Sequence, residues 1–173
     1  ATEFLFPVGD TLNSYKPVVF NYLGITDTFS VRIIKGITPA TNADSTCVQY
    51  TYNIEESVPN GTIARLKFGW NSSDEGNTFY RSQALLWQNQ NGEWDYLSGA
   101  PGVISNFPFT NWYHEITGLT NFSADYSKFI IRNAPPSITS YSSSHDICES
   151  DNTGFSISTT GNNLHYKWQK NDG

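Results

Sequence analysis

Two pairs of adjacent carboxylates, Glu55-Glu56 and Asp74-Glu75, are the first groups in this sequence that could do acid–base work. Glycoside hydrolysis needs two carboxyls about 5–9.5 Å apart across a cleft. Neighbours along a strand point to opposite faces, so neither pair is a ready-made dyad. Both read as solvated turn acids. Asp74 and Glu75 have a second reading, because Asn71-Ser72-Ser73-Asp74-Glu75-Gly76-Asn77 is rich in oxygen ligands. Ca2+ takes about 6–8 such ligands, which makes Asp74 and Glu75 the candidate metal residues. A turn built on Asx hydrogen bonds and a glycine explains the same residues without a metal.

The three histidines, His114, His145 and His165, sit in no HExxH pattern, and no serine occupies GxSxG. The expectation is a chain that is not an enzyme and needs no cofactor, a structural Ca2+ at Asp74 and Glu75 being the alternative to a metal-free turn. The two cysteines form no CxxC and fall far apart in the chain, which argues against a metal site. A Cys47–Cys148 disulfide would stabilise by about 4–5 kcal/mol, but it requires Cα atoms within about 7 Å. Cys47 reads instead as a small buried thiol on a strand. Aromatic side chains offer the sharper option. Trp94, Tyr96, Trp112 and Tyr113, with Trp87, lie on or beside consecutive hairpins and could stack on sugar faces. Trp70 and Trp87 end alternating strands and are expected to face inward.

Composition limits the partners. The chain carries ten Lys and Arg against sixteen Asp and Glu, a net charge of −6, and has 15% aromatic and only 15% charged residues. Without a basic cluster it lacks the footprint of a nucleic-acid binder. Its apolar runs are too short to insert into a membrane. Solubility through neutral polar residues suits an extracellular protein. The sequence holds no Met and no leader pattern, which reads as a piece processed from a longer chain.

The elements that must position these groups are strands. Alternation of period two dominates at 16–22, 28–35, 46–54, 62–70, 79–88, 94–97, 112–119 and 126–132. Asn91-Gly92 marks a hairpin turn that needs positive φ. A turn of helix at 79–86 is the one helical alternative. About nine short strands at this spacing predict an all-β antiparallel sandwich over 1–133. Pro135-Pro136 makes residues 134–136 a stiff linker. Residues 137–173 then hold only the first strands of a second sandwich.

The stretch Phe4-Leu5-Phe6-Pro7-Val8-Gly9, with Gly24-Ile25-Thr26-Asp27-Thr28-Phe29, Phe68-Gly69-Trp70-Asn71 and Arg81-Ser82-Gln83-Ala84-Leu85-Leu86-Trp87, resembles a β-sandwich module. Such modules occur in large type IX-secreted surface proteins of gliding bacteria. The tail, through Ile147-Cys148-Glu149-Ser150-Asp151 and Leu164-His165-Tyr166-Lys167-Trp168, resembles a bacterial immunoglobulin-like repeat, with Ser150 where glycine is common. The resemblance implies a non-catalytic segment of a long multidomain protein, secreted or at the cell surface, acting as a stalk spacer or adhesin. Its partners would be neighbouring modules, surface glycans or the secretion machinery. The resemblance also implies that Cys148 pairs with a cysteine beyond residue 173. Asp10-Thr11-Leu12 and Asp44-Ser45-Thr46 resemble the O-glycosylation acceptor of that group, at Thr11 and Ser45. Asn60, Asn71 and Asn121 open N-linked acceptor patterns. The alternative expectation is a carbohydrate-binding module that serves an extracellular enzyme.

Overall fold

The computed structural model describes residues 3–10, 14–24, 27–42, 44–58, 62–97, 99–105, 110–120, 122, 127–142, 154–161, 164, 166 and 167. The chain divides into two compact units, Ala1–Asn133 and Ala134–Gly173. Among the described residues every regular element longer than a 3-10 turn is a strand, so the all-β expectation holds.

In the first unit the strands are β1 (Phe4–Phe6), β2 (Val18–Gly24), β3 (Phe29–Lys35), β4 (Tyr50–Glu56), β5 (Thr62–Trp70), β6 (Ala84–Gln90), β7 (Glu93–Tyr96), β8 (Ile104–Ser105), β9 (Trp112–Leu119) and β10 (Ser127–Asn133). They form two antiparallel five-stranded sheets, ordered β1-β2-β5-β9-β8 and β3-β4-β10-β6-β7. Every strand pairing among the described residues of this unit is antiparallel. Alternation explains why the sheets stack. Phe20, Leu66, Phe68 and Trp70 from one sheet meet Tyr52, Ile54, Leu86, Phe129 and Ile131 from the other in a single buried cluster. Rings interlock across it: Phe20 and Phe29 lie 4.3 Å apart, and Tyr52 meets Phe68 edge-on at 5.0 Å. The one polar atom that Tyr52 brings is satisfied, its hydroxyl donating to the Gly69 carbonyl at 3.0 Å.

Several sequence expectations shift. The strand expected at 46–54 begins at Tyr50, because Asp44–Thr46 is a 3-10 turn and Cys47 and Val48 make only isolated bridges. The element expected at 79–88 is split, with a 3-10 turn at Arg81–Gln83 leading into β6. That single turn is all that remains of the helical alternative. The Asn91-Gly92 turn adopts the positive φ its sequence demands, 53° and 94°.

Strand direction fixes where the chain enters and leaves the first unit. β1 begins opposite Phe20 and stacks on Tyr22, toward the end closed by Phe29, Glu56 and Phe122. β10 ends at Asn133, whose amide accepts from Tyr80 and donates to Thr78 at the opposite end.

In the second unit β11 (Ser137–Tyr141) pairs with β12 (Ile157–Thr160) in an antiparallel ribbon with an irregularity between Ile138 and Ser140. Its other expected strands, at Cys148 and Trp168, fall outside the described residues.

Candidate binding face

The β3-β4-β10-β6-β7 sheet has a second face, turned away from the core. Tyr52, Ile54, Phe129, Ile131, Ala84 and Leu86 point inward, so their neighbours Thr51, Asn53, Lys128, Ile130, Arg132, Leu85, Trp87 and Asn89 point outward. Strand register arranges these into rows that cross all five strands. One row takes in Ile34 with Thr51 and, farther across, Ile130 with Trp87 and Tyr96; the next runs from strand to strand through Arg32, Asn53, Lys128, Asn89 and Trp94.

The first row is mostly covered. After β3 the chain turns back as a strap over the sheet. The Thr38 amide donates to Thr51 Oγ1 at 2.9 Å, Thr51 Oγ1 donates to the Gly36 carbonyl, and the Trp94 indole N–H donates to the Pro39 carbonyl at 2.9 Å. Ile130 and Trp87 are buried although they face away from the core, and Ile37 in the strap is buried with them. The Arg132 guanidinium lies 4.6 Å from the centre of the Trp87 ring, and Tyr96 meets the same ring edge-on at 5.7 Å. Trp87 is therefore buried as expected, but in this outer layer rather than in the core.

The second row runs beside the strap and is more exposed at its ends than at its centre. Arg32 is exposed, and Lys128, Asn89 and Trp94 are half-buried. Asn53, at its centre, is 4% exposed, and its side-chain oxygen has no hydrogen-bond partner among the described residues.

The four proposed sugar-stacking residues are thus divided. Trp94 and Tyr96 share this outer face on β7. Trp112 and Tyr113 belong to β9 of the other sheet and point to opposite sides of it. Trp112 lies against the core, its indole donating to Ser72 Oγ and its ring face covered by the Arg81 guanidinium at 4.2 Å. It opens β9, as the strand expected at 112–119 requires. The row residues Arg32, Asn53, Lys128 and Asn89 went unremarked in the sequence. Alternation around Tyr52 places Asn53 outward, but the register that aligns it with Trp94 depends on strands distant in sequence.

Asp74 and Glu75 do not fit a Ca2+ site. Asp74 Oδ2 lies 3.1 Å from the Lys16 ammonium and also accepts the Asn71 amide. Glu75 accepts two bonds from Arg81, at 2.9 Å each, and one from the Trp70 indole at 3.0 Å. Cations already occupy the places a metal would take, and among the described residues no group of His, Cys, Asp and Glu could hold one. Nor are these solvated turn acids: Asp74 is 8% exposed, and Glu56 is wholly buried with both carboxylate oxygens unpartnered among the described residues. Only Glu55 stays near solvent, accepting from Ser30 Oγ.

A cavity of about 450 Å³ lies beside β9, under the segment 99–104. Tyr113, Glu115 and His114 line it. His114 Nδ1 is 2.8 Å from the Gly102 carbonyl. A carbonyl only accepts, so Nδ1 carries the proton and Nε2 is the ring's acceptor. Burial holds the imidazole below the usual histidine range, against the opposing pull of the Gly102 bond and Glu115.

Cys47 is a fully buried thiol, as expected, with its pKa pushed up to about 12 by burial. Ser45 is exposed in its 3-10 turn and accepts from Thr78 Oγ1. Thr11 and Cys148 lie outside the described residues. Among the described residues no helix is long and apolar enough to cross a membrane. No protein-family model, curated protein or solved structure matches the chain.

Proposed function

We propose that the chain is a non-catalytic spacer or adhesive segment of a long secreted or cell-surface protein. The observation that carries this reading is the path through the first unit. The chain enters toward the end closed by Phe29, Glu56 and Phe122 and leaves at Asn133 on the opposite end. A module threaded in this way lengthens a protein with each copy, whereas one whose ends lie together hangs from it as a side branch. The carboxylates best suited to chemistry, Asp74 and Glu75, are held by Lys16, Arg81 and Trp70 and serve the loop instead. The test is a set of concatemers of the 173-residue chain, measured by small-angle X-ray scattering. The maximum dimension should rise by a constant increment per copy; a dimension that hardly grows would overturn the reading.

A second reading, carbohydrate binding, is favoured by one observation: Trp94 and Tyr96 lie on the same outer face of one sheet. A titration of the chain against a panel of soluble glycans tests it, with Trp94→Ala expected to abolish whatever binding appears.

A further inference from the structure

We propose that the row Arg32, Asn53, Lys128, Asn89, Trp94 is a binding site for a linear anionic glycan, one bearing carboxylate or sulfate groups. The proposal rests on the carbohydrate reading and gives it a ligand class.

Four observations point the same way. The five residues form one continuous line, since Arg32 pairs with Asn53, Asn53 with Lys128, Lys128 with Asn89 and Asn89 with Trp94. At about 4.8 Å per strand the line is ~19 Å long, the reach of a few sugar rings laid end to end. The strap that bonds to Thr51 and Trp94 bounds the line on one side.

The chemistry along the line is graded. Trp94 supplies a flat ring at one end, fixed by the bond from its indole to the Pro39 carbonyl. A held indole stacks on a pyranose with little loss of rotamer freedom. Asn89 and Asn53 supply amides that both donate to and accept from sugar hydroxyls. Asn53 is the telling residue. Its carbonyl oxygen is buried and unpartnered among the described residues, a cost that a ligand hydroxyl would relieve.

Charge selects among glycans. The chain as a whole is at −6, yet Lys128 and Arg32 flank Asn53 in this row. Glu55, the next outward residue on β4, accepts from the neutral Ser30 hydroxyl, so the row sets two cations against one neighbouring carboxylate. A row with cations on both sides of its central amide, in a chain acidic overall, favours a sugar chain that carries anionic groups.

The test uses the whole chain and calorimetric titration with three oligosaccharides of equal length: a galacturonate, a sulfated galactan and a neutral xylan. Poly-glutamate serves as a non-sugar polyanion. The proposal expects one or both anionic glycans to bind, binding to weaken with added salt, and Lys128→Gln to reduce affinity by about threefold to tenfold. Trp94→Ala should abolish binding, while Trp94→Phe, which keeps a ring, should retain part of it. Galacturonate against sulfated galactan identifies the anionic group. Equal affinity for xylan, unchanged by Lys128→Gln, overturns the anionic assignment and leaves the carbohydrate reading standing. Flat titrations with all three sugars overturn both. Binding of poly-glutamate as tight as that of the sugars, and indifferent to Trp94→Ala, reassigns the face to an acidic peptide.

Discussion

The Lys16 ammonium sits 3.1 Å from an Asp74 carboxylate oxygen, with 3% and 9% of the two side chains exposed. The pair joins the segment before β2 to the 71–76 loop, and the ammonium also lies 5.0 Å from the centre of the Tyr50 ring. Breaking a buried pair leaves one charge desolvated and uncompensated, at a cost of about 3–5 kcal/mol. Lys16→Met should therefore lower the urea midpoint sharply. The double variant Lys16→Met, Asp74→Leu should recover much of the loss, and a double variant no better than the single would show that the pair is not what Lys16 contributes.

Gly76 has no space for a side chain. A Cβ there would lie 2.2 Å from the Ser45 carbonyl oxygen, a backbone atom that cannot swing away. Gly76→Ala should cost upward of ~2 kcal/mol by forcing the Asp44–Thr46 turn off the loop. Gly36, at φ +86° with open space around it, is the control. Gly36→Ala meets only the left-handed backbone penalty of about 1 kcal/mol. Thermal melts of both variants compare clash with strain.

His114 makes stability depend on pH. Its folded pKa lies below the ordinary histidine value of 6.5 because burial disfavours the imidazolium. The unfolded chain thus binds the proton more readily. The contribution is fully present above pH 6.5 and is lost as pH falls from there through the lower folded value. The slope cannot exceed ~1.4 kcal/mol per pH unit for one proton. Urea midpoints between pH 7 and 5 should fall less steeply in His114→Phe than in the parent chain.

Cys47 should be inert while the protein is folded. With its pKa near 12, roughly one thiol in ten thousand is ionised at pH 8. Iodoacetamide treatment followed by peptide mapping should leave the Cys47 peptide unmodified in buffer and fully modified in denaturant. Labelling in buffer at the rate of an exposed thiol would contradict the burial.

Two strand spans read from the sequence agree with the structure residue for residue, one strongly alternating and one weaker. The spans 62–70 and 112–119 coincide with β5 and β9, and the Asn91-Gly92 turn falls where its two residue types require. The short edge strands β1 and β8 were not legible, because two or three residues become a strand only when a partner lies alongside. The site was harder still. Trp94 was visible as an aromatic on a hairpin, but its neighbours Asn89, Lys128, Asn53 and Arg32 come from four other strands, and only register assembles them. The fate of Asp74 depended in the same way on a distant residue. An acid in a polar loop reads as solvated until a lysine from another segment is found against it.

The edges of the two sheets bear on how such a module behaves at high local concentration. The outermost strands are β1, β8, β3 and β7. Three of them are only two to four residues long, too short to template the strand of a neighbour. The fourth, β3, is seven residues long, but it carries Arg32 and Lys35. Charged side chains of this kind discourage edge-to-edge pairing. Copies tethered in one polypeptide meet at millimolar effective concentrations, where a long apolar edge would fuse them into aggregates. If copies are linked in this way, edges of this kind would keep them separate.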